Sequence, residues 1–87
     1  MLNLTFKLGE AGMPATLKMT FAKKGGQRTP LDEGQNPEKI VLENPITSGE
    51  SIMEKGICLT SVVIGIRDFQ LDLFEIETNN AFYTIQF

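Results

Sequence analysis

"GICLTSVVIGIRDFQLDLFEIETNNAFYTIQF", residues 56–87, decides the fold class. The stretch is rich in Ile, Val, Leu, Phe and Thr, residue types that fit a pleated, half-buried surface. Ile57 and Leu59 share one parity, whereas Val62, Ile64 and Ile66 take the other. The switch near Thr60-Ser61 predicts a bulge, or a strand buried on both faces. A second switch separates Leu71 and Leu73 from Phe74 and Ile76. "RDFQ" (67–70) reads as a tight turn. "TNNA" (78–81) reads as another, because Asn tolerates the positive φ that hairpin turns need. The closing strand alternates Ala81, Tyr83, Ile85 and Phe87 against Phe82, Thr84 and Gln86.

Upstream, "LNLTFKL" (2–8) places Leu2, Leu4, Phe6 and Leu8 on one face in period two. "ATLKMTFA" (15–22) repeats the pattern with Leu17, Met19 and Phe21 inward. Gly9, Gly12 and Pro14 lie between them, so the two runs read as an antiparallel hairpin with Lys7 and Lys18 on its solvent face. Residues 23–38 hold Gly25, Gly26, Pro30, Gly34 and Pro37, and read as a long polar, mobile loop. "KIVLENPI" is a short strand ended by Asn44-Pro45. Thr47 and Glu50 have capping-box spacing and Gly56 can stop a helix, so one short helix is expected over 48–55. The expected core includes Phe6, Leu17, Phe21, Leu42, Ile64 and Ile85. These readings add up to a mainly β protein, a single domain over 1–87. Its architecture is a small antiparallel β-sandwich or partly open barrel of about six strands with one short helix.

The composition narrows the chemistry. The 87 residues include no His, so the commonest general base and metal ligand is missing. One cysteine allows neither an intrachain disulfide nor a cysteine-based zinc site. Cys58, between Ile57 and Leu59, reads as a buried inert thiol. No catalytic residue, metal site or cofactor is expected. "AKKGGQRT" lacks the residue order of a phosphate-binding P-loop. The N-terminal stretch lacks the basic start and apolar run of a secretion signal, and no apolar run approaches the length of a membrane-spanning helix. "FYTIQF" is similar to the closing strand of outer-membrane barrels, but the chain barely holds the residues for the smallest of them. A cytoplasmic location with no membrane partner is therefore expected.

Charge is the remaining signal. Net charge is −3, yet residues 1–28 carry +4 and residues 29–87 carry −7. Lys18, Lys23, Lys24 and Arg28 on one side, and Asp72, Glu75 and Glu77 on the other, are the candidate partner-binding residues. Complementary regions of this kind steer docking between two copies, or between one copy and another protein. The expected function is thus a non-enzymatic protein–protein interaction module: a small inhibitor, adaptor or virion component, such as a phage accessory protein. It would act through a sheet edge and the 23–38 loop, and homo-oligomers are expected. The alternative is an anion or single-stranded nucleic-acid binder using the basic residues. Overall negative charge and the lack of exposed aromatics near them disfavour it.

Overall fold

The computed structural model describes residues 7–31 and 36–87. It is an all-β domain with nine strands among the described residues: β1 (Lys7–Leu8), β2 (Pro14–Lys24), β3 (Gln27–Pro30), β4 (Glu38–Val41), β5 (Ile46–Thr47), β6 (Ser51–Glu54), β7 (Ile57–Gln70), β8 (Leu73–Thr78) and β9 (Ala81–Gln86). Seven form one antiparallel sheet in the order β3-β2-β9-β8-β7-β6, with β4 also paired to β2. β1 and β5 form a separate two-stranded ribbon.

The sheet curls so that its two ends meet. The Glu43 N–H donates to the Met53 carbonyl (3.2 Å). The Val41 N–H donates to the Glu54 carboxylate (2.7 Å), and the Gly56 N–H to that of Glu43 (2.5 Å). These few bonds join the β4 side to β6 without a full ladder, which makes a partly open barrel. Inside it lie Leu17, Leu42, Ile52, Val63, Ile76 and Ile85, all buried. A chain of this size buries only about 60–65% of its unfolded surface, so its hydrophobic stabilisation rests on a small core, to which Ile40, Ile46 and Tyr83 also belong.

Several elements differ from expectation, each for a local reason. No helix forms over 48–55. The Glu50 N–H donates to the Thr47 carbonyl in a turn, and Lys55 (φ 51°) and Gly56 (φ 79°) make a two-residue hairpin turn that pairs β6 with β7. Two consecutive positive-φ residues match the twist of flanking strands, so Gly56 turns a hairpin rather than stopping a helix. Among the described residues the expected first hairpin is also not formed. Lys7 and Leu8 pair with Thr47 and Ile46, and β2 pairs instead with β9, β3 and β4. Lys7 and Lys18 are nonetheless exposed. Phe6 lies outside the described residues.

The predicted loop begins as a hairpin. β2 runs to Lys24, Gly25 and Gly26 turn, and β3 returns to Pro30. Residues 32–35 of that segment lie outside the described residues. "RDFQ" is not a turn: β7 continues through it to Gln70, and Leu71-Asp72 reverse the chain, with Asp72 at φ 60°. "TNNA" does turn, but not through positive φ at Asn. The buried Thr78 hydroxyl donates to the Ala81 carbonyl (3.0 Å) and accepts from the Ala81 N–H (3.1 Å), which pins the two strands together.

The parity switch near Thr60-Ser61 is a true irregularity. Ser51 opposes Val62 and Met53 opposes Cys58, which leaves extra residues on β7 around Thr60. The Thr60 hydroxyl takes up the Ile52 N–H there (3.2 Å). A second register shift, between Val63 and Gly65, turns Ile64 out of the core to 47% exposure while Val63 is fully buried. Cys58 is likewise exposed rather than buried. The first residues of β7 pair only with β6, so nothing covers their other side among the described residues.

Candidate protein-contact surface

Four of the polar candidates, Lys23, Arg28, Glu75 and Glu77, converge on the sheet face opposite the core, and a bulge helps put them there. β2 and β9 oppose Met19 to Tyr83 and then Phe21 to Phe82, a shift that leaves Thr20 as the extra residue. Its hydroxyl donates to the Phe82 carbonyl (3.2 Å). The shift changes the parity of β2. Leu17 stays inside with Ile85, while Phe21 crosses to the outer face and meets Phe82 edge-on, centroids 6.5 Å apart. The expectation that Phe21 joins the main core is corrected accordingly.

The Gly25-Gly26 turn, with φ 59° and 80°, then sets Arg28 opposite Lys23 on that same face. Arg28 lies over Phe82, its guanidinium carbon 4.2 Å from the ring centroid, and forks onto Glu75 at 2.9 and 3.0 Å. Lys23 sits 5.1 Å from the same ring centroid and bonds Glu77 at 2.6 Å. Two aromatic rings are thus roofed by two ion pairs. Glu75 is buried, and its charge is tolerable there because a bidentate partner satisfies both oxygens.

Of the seven candidate residues, the fold gathers Lys23, Arg28, Glu75 and Glu77. They satisfy one another within the chain, and the group carries no net charge. Lys18 is exposed on the same face, opposite Thr84, and makes no ion pair among the described residues. Lys24 sits beside the Gly-Gly turn at one end of the sheet. Asp72 sits at the other end, in the β7–β8 turn. The basic and acidic sequence regions therefore meet within one molecule at two ion pairs, Lys23–Glu77 and Arg28–Glu75. Their aromatic partners, Phe21 and Phe82, were missed. The signal was present in the Gly-Gly pair, which as a two-residue turn fixes Lys23 opposite Arg28.

A different surface carries exposed apolar area. Leu71, at the β7–β8 turn, is 90% exposed, and Phe69 beside it is 51% exposed. The far side of Ile64–Gln70 has no pairing strand among the described residues. That edge carries a register shift at Ile64 and the charged pair Arg67-Asp68, devices that blunt indiscriminate strand addition. An apolar groove of about 460 Å³ lies at the same end of the sheet, lined by Pro14, Ile40, Val41, Gln86, Phe87 and Lys39 among others. The Phe87 N–H donates to the Asp72 carbonyl (2.9 Å), so groove and hairpin tip adjoin.

In the interior, burial raises the pKa of the Tyr83 hydroxyl above its ordinary value of 10.0. No helix among the described residues is long and apolar enough to cross a membrane. Comparison with protein-family models, with curated proteins and with solved structures gave no match.

Proposed function

We propose that this protein is a non-enzymatic protein-binding module whose contact surface is the β7–β8 hairpin and the adjoining open edge of β7. The observation that carries this reading is Leu71. A leucine held 90% exposed at the tip of a paired hairpin, next to a half-exposed Phe69, buries almost no area within the chain. Burying one such side chain at an interface contributes about 1.5–3 kcal/mol. The ion-pair face is a poorer candidate, because its two central cations are already committed to Glu75 and Glu77. The single exposed thiol suits a reducing compartment, and a cytoplasmic setting is part of the same reading.

The test is site-specific photo-cross-linking in cells of the source. A photoreactive residue at position 71 should give discrete protein adducts, and the same residue at position 24 should give none. Equal labelling at both positions, or adducts to nucleic acid at position 24, would overturn the assignment.

A further inference from the structure

Building on that reading, we propose that the partner is a second copy of this chain. The Leu71 tip of each copy would seat in the groove beside Phe87 of the other. Knob and groove lie at one end of the same sheet. The tip follows the end of β7, and the groove is bounded by the start of β2 and the ends of β4 and β9. The Asp72–Phe87 hydrogen bond sets the two side by side. A surface that carries both a protrusion and an adjoining recess is self-complementary under a two-fold rotation, which is the isologous arrangement of most small homodimers.

Charge favours the same pairing. The tip holds Asp68 and Asp72, both exposed. Among the described residues, the only charged side chain lining the groove is Lys39, also exposed. Each seated tip would therefore bring carboxylates toward a lysine at the rim of an apolar contact, which orients docking more than it tightens it.

The competing mode is edge-to-edge strand addition between two copies. Centred on Arg67 or on Asp68, it would set like charges directly opposite one another, an unfavourable cross-strand pair. The contact of two knobs and two grooves is small. The dimer is accordingly a weak one, with dissociation on the order of micromolar.

The test is sedimentation equilibrium of the full chain over a concentration series. Wild type should dimerise. Leu71→Asp, which removes the knob, and Val41→Asp, which spoils the groove, should each weaken dimerisation about 10–100-fold. Val41 is half exposed and Leu71 almost wholly so, and unchanged melting curves will confirm folding. Lys39→Glu, at an exposed position, serves as a second groove variant. The decisive sample mixes Leu71→Asp with Val41→Asp. One contact is then intact, Leu71 of the second variant in the groove of the first, so a heterodimer should form where neither variant associates alone. A mixture that stays monomeric, or a Leu71→Asp variant that dimerises like wild type, would overturn the arrangement. A wild type that stays monomeric at millimolar concentration would overturn self-pairing alone. The binding-module reading would then stand or fall on the position-71 cross-link to a different protein.

Discussion

Replacing Arg28 with alanine removes the guanidinium fork from Glu75 and the cationic lid from Phe82. The magnitude follows from the burial of the two partners. The Glu75 side chain is 5% exposed and that of Arg28 is 40% exposed. Exposed pairs are worth about 0–1 kcal/mol, whereas breaking a buried pair costs about 3–5 kcal/mol because a desolvated charge is stranded. Here the residue left behind is the buried one, so a cost of about 2–3 kcal/mol is expected from the pair. Loss of the guanidinium from 4.2 Å above Phe82 adds about 0.5–1 kcal/mol. The sum, about 3 kcal/mol, corresponds to a fall in Tm of about 12–24 °C for a domain under 100 residues. The assay is urea unfolding of wild type, Arg28→Ala, Glu75→Gln and the double variant. The cycle should show favourable coupling of more than 1 kcal/mol, since the double variant strands no charge. Arg28→Ala within about 0.5 kcal/mol of wild type would refute the reasoning. It would return Arg28 to the pool of cations free for a partner.

Ile76→Ala should cost about 3–4 kcal/mol, while Ile64→Ala should cost less than about 1 kcal/mol, because the shift after Val63 exposes Ile64; equal losses in chemical denaturation would put Ile64 back in the core. Thr78→Val should lose about 1–3 kcal/mol by leaving the Ala81 N–H and carbonyl without their hydroxyl partner, and a neutral result would show that the turn does not depend on it. Tyr83 is the only tyrosine, so ultraviolet titration reads it alone and should give a midpoint above 10.0. Above pH 10 the native state then holds more protons than the unfolded chain, so stability should fall as pH rises through that range, and Tyr83→Phe should flatten the fall. A tyrosine midpoint at or below 10.0 would contradict its burial.

Much of this was legible in the alternation of apolar residues. The β class, the Leu17 and Ile85 strands and the irregularity at Thr60-Ser61 all follow from period two and its interruption. What could not be read was which strand pairs with which. β1 docks on β5 some forty residues away rather than on its neighbour β2, and no local pattern encodes that choice. The helix expectation failed because capping-box spacing and Gly56 also suit two successive tight turns, and strand pairing with β7 outweighed a short helix of marginal intrinsic stability. The bulge at Thr20 is invisible in the sequence, yet it moves Phe21 to the outer face and so creates the site where Lys23, Arg28, Glu75 and Glu77 meet. The charge asymmetry was legible, but two of its basic residues, Lys23 and Arg28, are already paired within the molecule.

Backbone amide NMR over a dilution series tests the contact surface most directly. On raising the concentration, shifts should change at residues 66–72 and around Val41 and Phe87, while the amides of Phe21, Lys23 and Arg28 stay constant. Changes centred on Lys18, Lys23, Lys24 and Arg28, with the β7–β8 hairpin silent, would contradict the account.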